Sequence, residues 1–333
     1  MKQAYMPKAR EILYREVDKP KPKKNEVLLK VSKIGICGSD LHVFEGKHPL
    51  VSFPLVQGHE FCGFVAEKGS DVKNIEVGDL AVVQPAIGCG KCKKCKAGLI
   101  AQCDELMFIG GALTGGGAEY FVVDEKQVIK LKSGVKPQDA AMIEPLAVAV
   151  HNVGRVPNIE NKEVLIMGAG TIGNLTAQVA MLNGAKNATV FDINEDRIKI
   201  AEKCGIRAQN AAELDDLFGK EKAEVSFECV GKEKPLNDCI DYTERGGCVV
   251  VPGVYSGDPA VRMIKVQDCE LNVLGSLMYT WQDYYKSVEL VEKGKVRLAE
   301  LQTHFMPFSK WLDGYNLLKD PASGALKIII DLD

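Results

Sequence analysis

Apolar residues along the chain fall into two textures. From about Glu26 to Leu131 they come in short runs, EVLLKVSKIGI, GFVAEKGSDVKNIEVGDLAVV and AEYFVVDEKQVIKL, cut by Gly, Asp and Asn. Runs of that length with turn-forming interruptions predict the strands of a partly open, all-β body. From about Glu163 the rhythm becomes strand then helix, repeated. EVLIM leads into TIGNLTAQVAMLNG and ATVFD into EDRIKIAEKCG; EVSFECV, PLNDCIDYTERGG, CVVVPG and NVLGSL follow. This alternation predicts a doubly wound parallel sheet. After Trp281 come two helical stretches, YYKSVELVEKG and PFSKWLDGYNLLKD, then a strand KIIIDL. This tail is expected to return to the first body. The expectation is therefore an α/β chain of two domains: residues 1–153 with 288–333 forming the β-rich one, and residues 154–287 the doubly wound one. A length of 333 residues, beyond what one core usually serves, agrees with that.

Charge removes some functions. A net charge of −3 leaves no basic field for phosphate backbones, so nucleic acid is not an expected partner. The lysines between Lys19 and Lys24 read as a solvated loop. No stretch nears the ~20 apolar residues of a membrane span, and the start MKQAYMPKAREILYREV lacks a long apolar run. The odd count of eleven cysteines argues against a disulfide framework and for reduced thiols or metal ligands. A cytoplasmic location is expected.

The segment VLIMGAGTIG holds Gly168, Gly170 and Gly173 as G-x-G-x-x-G, directly after an apolar strand, with Thr171 and Ile172 opening the helix. In that context the first glycine allows a tight turn, the second a close approach to a pyrophosphate, and the third close packing of helix on strand. The helix start then offers free N–H groups to phosphate. Asp192 ends the next strand, where a carboxylate accepts ribose hydroxyls and repels a 2′-phosphate, so NAD is favoured over NADP. Arg197 tempers that preference.

Three separated segments carry metal-binding residue types. GICGSDLH supplies Cys37, Ser39, Asp40 and His42; QGHEFCG supplies His59 and Glu60; and AAMIEPLAVAVH supplies Glu144. Cys, His and carboxylate suit zinc, and a catalytic zinc keeps three protein ligands and one open position. CGKCKKCKAGLIAQC places Cys89, Cys92, Cys95 and Cys103 within fifteen residues. Four thiolates at this spacing make a closed tetrahedral site that stabilises a lobe and performs no Lewis-acid chemistry. A set of redox thiols is the other reading.

Taken together, these segments resemble the zinc-dependent medium-chain dehydrogenase/reductases nearly end to end. The family signature G-H-E-x-x-G, five residues, G, two residues, V is met by Gly58, His59, Glu60, Gly63, Gly69 and Val72. The resemblance implies a GroES-like β-rich catalytic domain, with a structural-zinc lobe at 89–103, and a Rossmann domain that binds NAD. It implies two zinc ions per chain, an active site in the cleft between the domains, and a homodimer or homotetramer. Glu144 in IEP is similar to the sorbitol, or L-iditol 2-dehydrogenase-like, threonine and butanediol dehydrogenases rather than the alcohol dehydrogenases. By that likeness Cys37, His59 and Glu60 hold the catalytic zinc. Glu144 holds the zinc-bound water or serves as an exchangeable fourth ligand, and Asp40 orients His59. The family's relay pattern implies that a proton leaves through Ser39, a ribose hydroxyl and His42.

The implied reaction is hydride transfer from an alcohol to NAD, giving a carbonyl. The expected substrate is a small molecule, a secondary alcohol of a polyol, sugar phosphate or sugar acid, with threonine or 2,3-butanediol as alternatives. Phe44, Phe108, Tyr279 and Trp281 are candidate pocket residues, and aromatic residues serve equally as core. Met278 stands where sorbitol-type members usually carry an arginine. A zinc- and NAD-binding sensor without turnover would share all these fingerprints.

Overall fold

The run EVLLKVSKIGI folds as the strand Glu26–Ile36, almost wholly buried, around which the first sheet is built. A computed structural model describes residues 1–47 and 51–333. In it, Glu26–Ile36 pairs antiparallel with Glu60–Lys68 on one side. On the other side Tyr120–Asp124 covers its first half and Lys327–Asp331 its second. Leu80–Val83 and Val128–Lys130 extend the sheet at one edge and Gln302–Pro307 at the other. Val27, Leu29, Val31, Ile34 and Ile36 enter one apolar core with Phe61, Val65, Ile328 and Ile330. Burying side chains of this kind contributes about 1.5–3 kcal/mol each before the entropy cost is set against it. The terminal strand thus joins the β-rich unit.

The second sheet has six strands, all parallel. In spatial order they are Arg207–Asn210, Asn187–Asp192, Glu163–Met167, Ala223–Glu228, Thr243–Val251 and Asn272–Gly275. Numbered by sequence within the unit this is 3-2-1-4-5-6, the dinucleotide-binding order, with its switch point between Glu163–Met167 and Ala223–Glu228. The strand Arg207–Asn210 and the helix Leu214–Phe218 are absent from the sequence-based reading. RAQN carries one apolar residue and earns its place by pairing with Asn187–Asp192. TERGG, read above with the preceding helix, instead opens the strand Thr243–Val251, after the helix Glu233–Tyr242.

The chain divides into one unit of Met1–Glu144, Thr280–Lys295 and Gln302–Asp333 and another of Pro145–Tyr279 and Val296–Leu301. The first break falls at 144 where the sequence-based boundary stood at 153, and the return falls at 280 where it stood at 288. Side-chain partners explain both positions. Asn152 bonds Thr176 and Ser276 of the second unit, whereas Tyr284 donates to the carbonyl of Val83 in the first. Among the described residues no helix is long and apolar enough to cross a membrane.

Candidate active site

Cys37 directly follows the strand Glu26–Ile36 and caps the short helix Gly38–Phe44, while His59 and Glu60 lie at the start of the strand Glu60–Lys68. Pairing of Gly35 with Glu60 across the two strands brings the segments into register. One ligand atom from each of Cys37, His59 and Glu60 lies within 4.8 Å of the others; His59 and Glu60 are buried and Cys37 half-buried. A thiol, an imidazole and a carboxylate so placed suit a zinc ion that retains an open position. Gly35 is what makes room, because a Cβ there would lie 2.2 Å from Glu60 Oε2.

The surroundings of these donors are ordered by buried polar groups. Asp40 is 2% exposed; its Oδ2 accepts from the Cys37 N–H at 3.0 Å, and its Oδ1 lies 3.4 Å from His59 Nδ1. Burial opposes charge on His59, but Asp40 and Cys37 outweigh it and lift the imidazole well above its usual value. A cation at this place would displace that proton. Lys327, overlooked in the sequence, donates to Glu60 at 2.8 and 2.6 Å and to the Ile36 carbonyl at 3.1 Å. Its burial would push the amine down, yet Glu60, Cys37 and Glu144 hold it above the ordinary lysine value. The signal was present as a lone lysine opening the apolar strand KIIIDL.

The remaining sequence-derived residues separate into groups. Glu144 is buried in the first turn of the helix Ile143–Gly154 and is not a member of the three-residue cluster. Ser39 and His42 sit three positions apart on Gly38–Phe44, which places them on neighbouring turns of one face. Phe44 and Tyr279 are buried, at 3% and 0% exposure, with Phe44 stacked on Tyr315. Phe108 is half-buried; a Cβ on Gly111 would strike its ring. Trp281 is half-buried and lies against Tyr285.

Cys89, Cys92, Cys95 and Cys103 also bring their four sulfurs within 4.8 Å of one another. The Cys89 and Cys95 sulfurs are 4.0 Å apart, close to the ~3.8 Å edge of a tetrahedron with Zn–S bonds of about 2.3 Å. Backbone N–H groups point at these sulfurs, from Cys95 to Cys92 at 3.3 Å and from Cys89 to Cys103 at 3.4 Å. The donor set fits zinc. Backbone donors at Lys91 and Cys92 lower Cys89 to about 7. At Cys95 the donor at Gly90 is outweighed by burial and three neighbouring sulfurs, which push it up to about 12. Zinc uptake by the stripped lobe must therefore release protons. Its affinity should fall as pH drops from 8 to 6, where Cys89 takes up a proton as well. Competition with a chromophoric chelator across that range checks this, and a flat affinity would exclude thiolate ligation.

In the parallel-sheet unit the glycine loop follows Glu163–Met167 and opens the helix Thr171–Leu182. Gly168 has φ +101°, and a Cβ on Gly173 would lie 1.8 Å from the Gly168 carbonyl oxygen. A Cβ on Gly170 would meet no protein atom within 4 Å. Thr171 and Ile172 form the first turn. Asp192 accepts the Ala169 N–H at 2.8 Å and the Asn194 N–H at 2.9 Å, with the Arg197 guanidinium 3.9 Å away. Its carboxylate thus anchors the loop. Gly173→Ala should cost about 1–3 kcal/mol of stability and weaken NADH binding. Gly170→Ala should weaken binding alone, by putting a methyl where a pyrophosphate approaches. Denaturation and NADH fluorescence titrations separate the two, and parallel behaviour of both variants would refute the assignment.

Comparison with known proteins agrees with this geometry. Residues 23–133 match the alcohol dehydrogenase GroES-like domain and residues 171–293 the zinc-binding dehydrogenase family. The chain is 30% identical over 312 residues to an L-galactonate-5-dehydrogenase of Escherichia coli, covering 92% of each chain. It belongs to the zinc-dependent medium-chain dehydrogenase/reductases. An L-threonine 3-dehydrogenase of Vibrio parahaemolyticus is also 30% identical, over 95% of this chain and 94% of that one. The crystal structure of galactitol-1-phosphate dehydrogenase from Escherichia coli superposes with a TM-score of 0.92 at 28% identity, covering all of both chains. The GroES-like and Rossmann architecture expected from the sequence is therefore established. So is the broad class, a zinc- and NAD-dependent oxidoreductase for an alcohol or polyol-type substrate.

Proposed function

We propose that this dehydrogenase oxidises a secondary alcohol of a polyol, sugar phosphate or sugar acid to the ketone, with NAD as acceptor. Cys37, His59 and Glu60 would hold the catalytic zinc, and the four-cysteine lobe the structural one. The observation that carries the reading is the buried Cys37–His59–Glu60 cluster, in a chain whose other unit presents a glycine loop at the switch point of a parallel sheet. When bound, zinc supplies a Lewis acid that eases loss of the alcohol proton, and NAD supplies the hydride acceptor.

The protein's own groups do the rest. Asp40 fixes the imidazole of His59, and Lys327 fixes the carboxylate of Glu60. Ser39 and His42 take the alcohol proton outward, His42 being half-buried with an imidazole that can both accept and donate a proton. Glu144, buried and close enough to act on Lys327, would help to orient the hydroxyl group. Gly168, Gly170, Gly173 and the helix start receive the pyrophosphate, and Asp192 the adenine ribose, favouring NAD over NADP. Relatives acting on a sugar acid and a sugar phosphate support the substrate class, while the threonine dehydrogenase, equally similar, supports an amino alcohol as the second reading.

The test is NADH formation by zinc-loaded protein against free and phosphorylated polyols, sugar acids, vicinal diols and threonine, each repeated with chelator and with NADP. A chelator-sensitive rate on polyols, sugar phosphates or sugar acids is expected. Turnover confined to threonine or diols would replace the substrate class, and silence with both cofactors bound would replace enzyme by sensor.

A further inference from the structure

The helix Trp311–Lys319, near the end of the chain, carries two buried aromatic residues that no step above uses. Tyr315 is fully buried, its ring stacked on Phe44 with centroids 4.8 Å apart. Its hydroxyl donates to Gln57 Oε1 at 2.5 Å. Gln57, itself 3% exposed, turns its amide N–H toward Asp40, 3.2 Å from Oδ1 and 3.3 Å from the main-chain carbonyl. That Oδ1 is the atom facing His59 Nδ1. Trp311 covers the intervening turn, its ring edge 3.4 Å from where a Cβ on Gly58 would stand.

The order of donors and acceptors in this chain allows one arrangement. An anionic Asp40 accepts and cannot donate, so the amide of Gln57 must present its nitrogen there and its oxygen to Tyr315, which then donates. Asp40 has one oxygen tied to the Cys37 N–H, and rotation of the carboxylate is limited by the Gln57 bond to the other. Hydrogen bonds fix Asp40 from the Gln57 and Cys37 sides, and its Oδ1 meets His59 Nδ1 in an ion-pair contact at 3.4 Å; breaking a buried link leaves a costly unpaired group.

We infer that Gln57 and Tyr315 are positioning residues of the metal site. Through Asp40 they hold His59 with Nδ1 inward, leaving Nε2 to face the metal. This rests on the reading of Cys37, His59 and Glu60 as zinc ligands. Partners behind a metal-bound histidine typically govern metal affinity or activity by about 10–100-fold.

The experiment uses the full chain with zinc in the four-cysteine lobe and zinc or Co²⁺ titrated into the other site. Tyr315→Phe removes one oxygen and keeps the ring on Phe44; Gln57→Leu removes the amide at similar volume. Each should weaken metal binding roughly tenfold, at the low end of that range, and alter the cobalt absorption bands. Each should also lower kcat with little change in KM for NAD. The double variant should be no worse than the more affected single one. Tyr14→Phe is the control, because the Tyr14 hydroxyl bonds the Phe308 carbonyl and the Trp311 N–H at the start of the same helix. It should lower stability alone. Wild-type affinity and spectra in Tyr315→Phe and Gln57→Leu would overturn the inference, as would an equal spectral change in Tyr14→Phe. Should Tyr315→Phe not fold, Gln57→Leu and the shape-preserving Gln57→Glu decide. Wild-type protein that takes up metal only at the four cysteines would instead sink the zinc-site reading itself.

Discussion

Cys37→Ser should lose at least ~10³-fold in turnover, about 4 kcal/mol of transition-state stabilisation. NADH affinity should stay within about twofold of wild type. The reason is positional. Cys37 stands with His59 and Glu60 in the β-rich unit, whereas the glycine loop, Asp192 and Arg197 belong to the parallel-sheet unit. Serine is nearly isosteric but a poor ligand for zinc at neutral pH, so metal content should fall from two per chain to one. The four sulfurs of the lobe should keep theirs. Metal analysis, NADH titration and steady-state kinetics on one preparation check the three parts. Undiminished turnover would end the proposed mechanism, and loss of both metals would show that the variant disturbs more than the site.

Lys327→Met should be the most destabilising single change near the site, by about 3–5 kcal/mol, the usual result of leaving a buried charge unpaired. All three ammonium protons are used, two on Glu60 and one on the Ile36 carbonyl, at 3% residue exposure. The pKa of Lys327 is raised, so its contribution is complete below the unfolded lysine value near 10.4. It is lost only as pH rises through the folded value, and the effect should be level from pH 6 to 8. Two further outcomes distinguish a charge effect from a packing one. Adding Glu60→Gln to Lys327→Met should recover part of the loss. The loss should also be smaller in zinc-loaded than in zinc-stripped protein, because a dication beside Glu60 replaces the missing ammonium. Urea denaturation of the four combinations, with and without metal, reads this directly. Strict additivity of the two substitutions would contradict it.

Much of this molecule was legible before any coordinates. The strand-helix rhythm after Glu163 led to a parallel sheet because buried parallel strands must be continuously apolar and their crossovers amphipathic, and both periods are written locally. G-x-G-x-x-G and C-x-x-C-x-x-C-x7-C are equally local: their chemistry depends on spacing within about fifteen residues. Arg207–Asn210 escaped because a short polar strand is specified by its neighbour and not by its own pattern.

The site was legible only in part, for the same reason. Residue types named Cys37, His59, Glu60 and Glu144 as donors, but the sequence could not show that the first three lie within 4.8 Å of one another. That follows from the pairing of Gly35 with Glu60. Phe44 and Tyr279 could be read as pocket wall or core alike, because aromatic composition carries no direction; both are buried. The partners of Lys327, Gln57 and Tyr315 were not legible, since they lie 267, 17 and 258 positions away. The sequence by itself determined the two folds, the glycine loop and the candidate metal donors. Only the tertiary structure decided which buried charges neutralise one another around those donors. A side chain's local period says which face it takes, but its ionic partner is set by how distant strands and helices close on one another.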